Sequence, residues 1–541
     1  MSPTMWRDLL GHADRWLRTE RRKSVRPPLA SATRRRRFSG EGERRAGFAS
    51  AVAVGVATVV LGLAGSARAA PDAAALYGEH CAACHGETRL GGQGPALLPV
   101  SLGRIKPAEV AETIRKGRVA TQMEGFAAKL GDAEIEALAA FVLKEPPVQP
   151  SWTLADVAAS REVHGRPAAT KPIWTADPLN LFVVVEAGDH HVTLLDGDTF
   201  EPITRFASRF ALHGGPKFTP DGRHVFFGSR DGWITKYDLW TLTVVAEARA
   251  GINMRNIALS SDGKWIAAAN YLPSSLVILS ADDLSPVKQF DVADTKGTPS
   301  RVSAVYQAPD RKSFVAALKD VPEVWEIPTA GAPDFPLRRI AVADAIDDFF
   351  FDHGYRHLLG ASRDGASALV VRLADGVTVA TLPLPGMPHL GSGISFMKDG
   401  RRVIAAPHLK EGKISVIDTE TWSVTATIAT SGPGFFLRSH EKTPYVWADA
   451  MMGQKKDGMQ IIDKRTLAVA SVLTPEPGKI AAHTEFDRSG RHALVSVWEN
   501  DGALVVYDAE TLRPVKRLPM KKPVGKYNVF NKITFSEGTS H

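Results

Sequence analysis

Residues 220–238 read Pro-Asp-Gly-Arg-His-Val-Phe-Phe-Gly-Ser-Arg-Asp-Gly-Trp-Ile-Thr-Lys-Tyr-Asp. An Asp-Gly turn opens an apolar strand, and a second strand, Ile234–Asp238, ends in a polar residue. Asp-Gly flanked by apolar runs is a strong short-range signal for antiparallel strands. The stretch therefore predicts a β-hairpin, and its pattern returns along the rest of the chain.

Strands that end in a polar residue recur eight times, with their last residues 42 to 46 positions apart. These last residues are Asp196, Asp238, Ser280, Glu326, Arg372, Asp418, Asp463 and Asp508. A period of about 40–45 residues is typical of the four-stranded blades of a β-propeller. We expect a linker over residues 147–170 and an all-β eight-bladed propeller over 171–541. The segments near 173–185 and 527–534 should share one closing blade, which leaves no exposed sheet edge.

The segment Cys81-Ala-Ala-Cys84-His85 contains the only two cysteines of the chain. Cys-x-x-Cys-His is the attachment signature of a c-type haem, in which both thiols bond to the porphyrin and the histidine binds its iron. A disulfide or a thioredoxin-like redox pair is the alternative, but that pair needs no histidine and accompanies a βαβ pattern, which is absent here. The motif predicts one covalent haem c held by Cys81 and Cys84, with His85 as an iron ligand.

Residues 70–146 have the pattern of a small all-α class I cytochrome c domain. Apolar residues at helical spacing predict helices over 107–116 and 132–143. Met123 follows the haem motif at the separation typical of the sixth iron ligand in such domains, so we predict that it binds the iron opposite His85. A thioether ligand raises the reduction potential. The alternative is that Met123 is an ordinary core residue.

Residues 1–69 have the features of an export leader. Arg34 to Arg37 are positive, 48–64 is apolar, and Ala67-Arg-Ala69 resembles a small-residue cleavage site. The apolar stretch is shorter than the roughly 20 residues that a membrane helix needs. We therefore expect cleavage instead of a membrane anchor, no stable membrane span, and a periplasmic protein.

The formal net charge of +7 comes from this leader. Residues 1–69 carry 14 Lys and Arg against 5 Asp and Glu, whereas the remaining residues carry 52 against 54. The rest of the protein thus lacks the basic surplus that binding to nucleic acid requires.

Two histidines occupy matching positions in the repeat. His213 lies 17 residues after Asp196, and His389 lies 17 residues after Arg372. They are four repeats apart, so in an eight-bladed ring they face each other across the central axis. A single histidine would more simply satisfy a loop backbone, but a matched and opposite pair indicates the two sides of a site for a flat cofactor.

A haem c domain followed by an eight-bladed propeller with an axial histidine resembles the cytochrome cd1 family, over nearly the whole chain after the leader. The segments that carry this resemblance are Phe210–His213, Ser229–Trp240, Ala268–Tyr271, Met387–His389, Ser496–Trp498 and Gly525–Asn531. The resemblance implies one non-covalent haem d1, or its dihydro form, in the propeller. It also implies that His213 is the proximal ligand of the d1 iron.

Haem d1 carries several carboxylates, and the fork of an arginine pairs both oxygens of a carboxylate. Arg230 and Arg255 match positions of the family, and Tyr271 matches a contact with the ring. We add Arg438 because its phase within the repeat equals that of His483. Each arginine has a surface salt bridge as its alternative.

Members of this family differ in activity, and the distal side of the d1 site separates them. One member reduces nitrite to nitric oxide with two distal histidines, and another oxidises dihydro-haem d1 to haem d1. Here His389 matches one distal histidine, whereas phenylalanines of Asp347–His353 occupy the expected place of the other. His353 itself lies nearby. The loops 89–99 and Met387–Gly393 also resemble the dehydrogenase more closely.

The resemblance thus implies an oxidoreductase that converts a propionate of dihydro-haem d1 to an acrylate. His389 is the predicted general base, because imidazole titrates near neutral pH, and His483 on the same rim could assist it or simply be a loop residue. Electrons would pass through the d1 iron to haem c and then to an external periplasmic acceptor. Nitrite reductase and other haem d1 biosynthesis proteins are the expected partners. A nitrite reductase and a non-catalytic haem d1 carrier are the alternative functions.

Overall fold

The computed structural model describes residues 70–92, 94–102, 105–117, 123–165, 168–362 and 366–540. The predicted leader lies outside these residues. Across the ranges described, no helix has both the length and the apolar character of a membrane span.

The N-terminal part of this region is a small helical domain. Its helices are α1 (Ala73–His80), α2 (Ala82–His85), α3 (Pro99–Leu102), α4 (Pro107–Lys116) and α5 (Asp132–Val142). Helix α4 begins at a proline, whose missing N–H needs no partner in the first turn. The apolar faces of α4 and α5 meet in a core that includes Val110, Ile135 and Leu138. The predicted helices over 107–116 and 132–143 therefore agree closely with the structure.

The remainder of the chain consists of short antiparallel strands. In chain order the first strands are β1 (Glu162–Val163), β2 (Leu181–Glu186), β3 (His191–Asp196), β4 (Pro202–Ala207), β5 (Lys217–Phe218), β6 (His224–Gly228), β7 (Trp233–Asp238), β8 (Thr243–Arg249), β9 (Asn253–Leu259), β10 (Trp265–Leu272), β11 (Ser275–Ser280), β12 (Pro286–Asp291), β13 (Val302–Ala308), β14 (Ser313–Leu318), β15 (Glu323–Pro328) and β16 (Arg338–Ala341). They are followed by β17 (Ile346–Phe351), β18 (His357–Ser362), β19 (Ser367–Arg372), β20 (Val377–Pro383), β21 (Ile394–Lys398), β22 (Arg401–Pro407), β23 (Lys413–Asp418), β24 (Ser423–Ala429), β25 (Leu437–Arg438), β26 (Tyr445–Asp449), β27 (Met459–Asp463), β28 (Val469–Leu473), β29 (Ala481–Phe486), β30 (His492–Val497), β31 (Gly502–Asp508), β32 (Pro514–Met520) and β33 (Pro523–Asn528).

These strands form eight sheets, which are the blades of a propeller. Six sheets each take four consecutive strands, a seventh adds β1 to β5–β8, and the eighth has the order β33-β2-β3-β4. The last strand of a blade is exposed at alternate residues, as in β24, whereas the first strands of neighbouring blades, such as β9 and β13, contact each other near the axis. The sequence prediction of an eight-bladed propeller whose two ends share a closing blade is confirmed, but the closing strand β33 ends at Asn528 and the rest of the predicted tail segment is a helix, Val529–Thr534.

The segment predicted as a linker has structure of its own. Helix α6 (Leu154–Ala159) begins at Thr153, whose hydroxyl oxygen accepts a hydrogen bond from the N–H of Asp156. It packs against β8 and β12, and β1 then adds a fifth strand to the blade of β5 to β8. Linker residues therefore belong in part to the propeller.

Four innermost strands are bulged near their first residues. The pairing register skips one residue in β9, β13, β17 and β29, and the skipped residues are Arg255, Ser303, Asp347 and His483. A bulge places an extra residue out of the alternating pattern and redirects its side chain, which is common beside functional sites. These four bulges lie on the same edge of the propeller, which we call the axial rim: the ends, near the axis, at which the innermost strands begin.

Candidate functional site

The haem c motif forms a compact loop in the helical domain. His85 is buried, and its ring Nδ1 lies 2.8 Å from the carbonyl oxygen of Pro95. A carbonyl oxygen can only accept, so Nδ1 carries the proton and Nε2 keeps the lone pair that an iron would need. A Cβ at Gly94 would lie 2.7 Å from Cε1 of His85, so the loop fits against the ring because this residue is glycine.

The cysteines of the motif are free thiols, which excludes the disulfide alternative in this structure. Burial and the neighbouring Cys84 raise the pKa of Cys81 to about 11. Met123 is partly buried and packs on the core of the helical domain. The residues present therefore fit a covalent haem with a histidine ligand, and the role of Met123 as the sixth ligand stays a prediction.

His213 lies on the axial rim, just before β5. Its Nδ1 is 2.8 Å from the carbonyl oxygen of Arg255, so Nδ1 is the protonated nitrogen. Nε2 accepts a hydrogen bond from Nη2 of Arg230 at 2.9 Å. A backbone carbonyl that fixes Nδ1–H and directs the Nε2 lone pair away from itself is the usual support of a metal-binding histidine. This geometry fits the predicted role of His213 as an iron ligand, with the iron taking the place of the Arg230 guanidinium at Nε2.

Positive charge collects around His213. Nε of Arg255 donates to the carbonyl of Ser303 at 3.0 Å, and Nη1 lies 3.3 Å from both ring nitrogens of His213. Burial raises the pKa of Tyr271, but the charges of Arg255, Lys319 and other cations outweigh this effect, so that the pKa is lowered. The structure thus brings together four predicted residues, His213, Arg230, Arg255 and Tyr271, in an environment suited to carboxylates.

His389 lies on the axial rim four blades away from His213. Its Nδ1 is 3.1 Å from the carbonyl oxygen of Phe435, and the ring centroids of the two residues are 4.0 Å apart. Nε2 lies 3.8 Å from Oδ2 of Asp348. Burial lowers the pKa of His389 although Asp348 opposes this effect. His389 is therefore neutral near pH 7, with a free lone pair on Nε2.

His483 is the extra residue of the bulge in β29, with φ of +49°. Its ring lies between Phe436 and Tyr527, with centroid separations of 4.8 Å and 5.3 Å. Nδ1 is buried without a hydrogen-bond partner among the described residues. Burial, together with the positive charges of Lys526 and Lys532, lowers the pKa of His483 well below its usual value. A neutral imidazole with an unused nitrogen is thus placed at the axial rim.

Arg438 does not contact the other predicted residues. It is 3% exposed and forms a buried ion pair with Glu485, through Nε at 2.9 Å and through Nη2. Nη1 donates to the carbonyl of Ser439 at 2.6 Å. Because each of these nitrogens already donates within the protein, the arrangement indicates a structural role for Arg438 and not the cofactor contact that the sequence suggested.

His353 is far from the axial rim along its own blade. It follows the end of β17, whereas Asp348 lies at the beginning of that strand, and its side chain is exposed. Its electrostatic neighbours are Arg402, Glu537 and Asp310. His353 is therefore not a second distal histidine in this structure.

The sequence did not reveal several groups at the site. Asp348 beside His389 and the aromatic pair Phe435 and Phe436 were not singled out, because counting positions within the repeat locates rims but not side-chain directions. Tyr527 falls in the family-like segment Gly525–Asn531, which was the available signal. Burial lowers the pKa of the nearby Lys532 to about 7, and no pattern in the sequence indicates that.

Comparison with known proteins agrees with this arrangement. Residues 176–532 match the Cytochrome D1 heme domain family, and residues 68–142 match the family described as Cytochrome C oxidase, cbb3-type, subunit III. The fold and these two sites define a cytochrome-type oxidoreductase with two haem-binding units. The chain belongs to the cytochrome cd1 family and, within it, to the dihydro-haem d1 dehydrogenases.

The relatives cover almost the whole chain. It is 58% identical over 486 residues to the dihydro-heme d1 dehydrogenase of Pseudomonas aeruginosa, with 89% of this chain and 98% of that protein aligned. Identity to the nitrite reductase of Stutzerimonas stutzeri is 26% over 542 residues, covering 87% and 96% of the two chains. A solved structure titled as dihydro-heme d1 dehydrogenase NirN in complex with DHE superposes with a TM-score of 0.83, at 58% identity, over 85% of this chain and 99% of that chain.

Proposed function

We propose that this protein oxidises dihydro-haem d1 to haem d1. A propionate side chain of the substrate, –CH2–CH2–COO⁻, becomes an acrylate, –CH=CH–COO⁻, and releases two protons and two electrons. The 58% identity to a dihydro-heme d1 dehydrogenase supports this assignment.

One observation carries the proposal: two partly buried, neutral histidines lie on the axial rim, His389 four blades and His483 two blades away from the blade of His213. The lowered pKa values of His389 and His483 keep both rings unprotonated near pH 7. A general base must be unprotonated at the working pH and must have a lone pair to accept the proton. His389 offers Nε2, and His483 offers the unpartnered Nδ1.

The histidines of the axial rim then have different roles. His213 binds the iron of the substrate through Nε2, and Arg230 and Arg255 pair with its carboxylates while Tyr271 contacts the ring. His389 removes a proton from the propionate, and His483 accepts or relays the second.

Cys81 and Cys84 would hold a haem c, with His85 and Met123 as the ligands of its iron. When bound, this haem would supply a one-electron acceptor that an external acceptor has to reoxidise twice for each substrate. We place the protein in the periplasm on the basis of its leader. Nitrite reductase and the other proteins of haem d1 synthesis are its proposed partners, because they receive or supply the tetrapyrrole.

A nitrite reductase is the competing function. The segment expected to hold a second distal histidine instead places Asp348 at the axial rim, and His353 lies at the other end of the strand. Among the described residues, this position thus lacks the second distal histidine that the resemblance associates with nitrite reduction. This difference supports the dehydrogenase over the reductase.

The test is a single-turnover reaction under anaerobic conditions. The holoprotein with oxidised haem c, at two or more equivalents per dihydro-haem d1, is mixed with the tetrapyrrole, and the absorption of both haems is followed. Because each haem c takes one electron, we expect one haem d1 to form for every two haem c that become reduced. Conversion of nitrite to nitric oxide without tetrapyrrole oxidation would support the reductase, and binding without reduction of haem c would support the carrier.

A further inference from the structure

The loop that follows the haem c motif contacts the propeller at a buried guanidinium. Arg249 is the last residue of β8 and is 3% exposed. Its Nε donates to the carbonyl of Asp231 at 2.8 Å, and its backbone N–H donates to Oγ of Ser160 at 2.9 Å. Its Nη2 is buried and has no hydrogen-bond partner within the described ranges. The side chain is thus fixed in place with one donor unused.

Trp152 covers one face of this guanidinium. The guanidinium carbon lies 4.9 Å from the ring centroid, and Nε1 of Trp152 donates to the carbonyl of Arg249 at 2.8 Å. An aromatic face attracts a desolvated cation, but it does not use the N–H groups in the plane of the guanidinium. Trp152 therefore holds the charge without satisfying Nη2.

Gly91, in the loop of the helical domain, lies directly beside Nη2. A Cβ at Gly91 would be 2.9 Å from this nitrogen, 2.9 Å from the backbone nitrogen of Ala96 and 3.1 Å from the carbonyl oxygen of Gly94, so the loop and the guanidinium meet closely here because this residue is glycine. The N–H of Gly91 donates to the carbonyl of His85 at 2.8 Å. The guanidinium of Arg249 therefore lies against Gly91, which is itself hydrogen-bonded to His85, the predicted iron ligand of haem c.

The surrounding contacts keep this charge at the loop. Ala96 and Leu98 pack on Ile252 of the propeller in a buried apolar cluster. Asp231 lies nearby, but its carboxylate accepts from the hydroxyl of Ser229 and no ion pair joins it to Arg249 in the part of the chain that the structure describes. A buried cation that is incompletely compensated exerts a strong field on its neighbours, because the low dielectric screens it weakly.

We propose that Arg249 of the propeller raises the reduction potential of haem c. Its positive charge favours the reduced iron, which carries one positive charge less than the oxidised iron. Arg249 acts through the loop that carries His85 and is a positioning residue, since it contacts none of the groups proposed to react. The inference depends on the attachment of haem c that the proposed function includes, but not on dehydrogenase activity.

The test measures the midpoint potential of haem c by spectroelectrochemistry in holoprotein without tetrapyrrole. In Arg249→Gln we expect the ratio of reduced to oxidised haem at a fixed applied potential to fall about tenfold, which corresponds to about 59 mV for a one-electron couple. Arg249→Lys keeps the charge and should retain most of the wild-type potential.

Arg209→Gln is the matched control. Arg209 also lies over a tryptophan, 3.9 Å from the ring centroid of Trp233, and contacts the same sheet through an ion pair with Glu247. Its described contacts include no residue of the haem c loop, so the potential should not change. If Arg249→Gln yields no folded holoprotein, Arg249→Met decides, because its unbranched apolar side chain can pack against Trp152 without a charge and should also lower the potential.

An unchanged potential in Arg249→Gln, or in Arg249→Met when only that variant folds, would overturn the proposal. Equal decreases in Arg249→Gln and Arg249→Lys would overturn it as well, because they would show that packing and not charge matters. Absence of dehydrogenase activity would leave these potentials interpretable, so the two proposals fail separately.

Discussion

The histidines of the axial rim are held in two different ways. Both ring nitrogens of His213 contact polar groups, the carbonyl of Arg255 and the guanidinium of Arg230. His389 and His483 instead lie against aromatic rings, and Nδ1 of His483 has no partner among the described residues. The same side chain is thus prepared as a ligand by polar partners at both ring nitrogens, and as a base by aromatic neighbours that leave one ring nitrogen without a hydrogen bond.

The largest expected effect is on the reaction rate, when one of the two histidines that contact aromatic rings is replaced. Replacing His389 or His483 with alanine should slow conversion of bound dihydro-haem d1 by about 10²–10⁴-fold, because general-base catalysis is lost. Binding should persist, since His213 is intact. Single-turnover absorption measures the rate, and His353→Ala, in an exposed histidine away from the rim, is the control. Wild-type rates in both His389→Ala and His483→Ala would contradict their proposed roles in proton removal.

Replacing Arg438 tests whether this buried cation stabilises the fold or contacts the substrate. Arg438→Ala leaves Glu485 buried without its partner, and the loss of one member of a buried ion pair destabilises a protein by about 3–5 kcal/mol. Chemical denaturation followed by far-UV circular dichroism measures this loss. The folded fraction should still bind dihydro-haem d1 normally. Normal stability of the variant combined with weak binding of dihydro-haem d1 would instead support the predicted contact between Arg438 and the cofactor.

His213 and the arginines around it should determine the affinity for the tetrapyrrole. Loss of a residue that merely supports a metal ligand weakens binding by roughly 10–100-fold, so His213→Ala, which removes the ligand itself, should weaken it by at least about 100-fold. Titration of the protein with dihydro-haem d1 measures the effect. His224→Ala removes a half-buried histidine of the same blade, outside the rim, and should bind normally. Unaltered affinity in His213→Ala would assign the iron ligand to another residue.

The smallest effect distinguishes the two candidate bases. Asp348 raises the pKa of His389 against the effect of burial, so Asp348→Asn should lower that pKa further, because the neutral amide no longer stabilises the imidazolium. Activity that requires neutral His389 would then persist to lower pH, and the acid limb of the rate profile would move down. Asp347→Asn removes a neighbouring carboxylate that pairs with Lys319 and should leave the limb in place. An unmoved limb in Asp348→Asn would assign the base to His483.

Sequence periodicity predicted the architecture because each blade repeats the same burial pattern. It also placed His213 and His389 on one rim, four blades apart. It could not predict the bulges, since one unpaired residue leaves the apolar pattern on either side intact. Arg438 and His483 have the same phase in the repeat, yet β29 is bulged at His483 and the paired residues of β25 are in regular register. The position of Arg438 within the repeat was therefore predicted correctly, but the direction of its side chain could not be predicted from that position.

The closing blade has a consequence for the order of assembly. Its innermost strand, β33, is synthesised last and pairs with β2 near the start of the propeller. The same strand supplies Lys526 and Tyr527, which border His483. Until almost the whole chain is available, the ring remains open and the pocket lacks one of its sides. A prematurely terminated chain would thus lose the substrate site and expose the unpaired edge of β2, which makes it a target for aggregation or proteolysis.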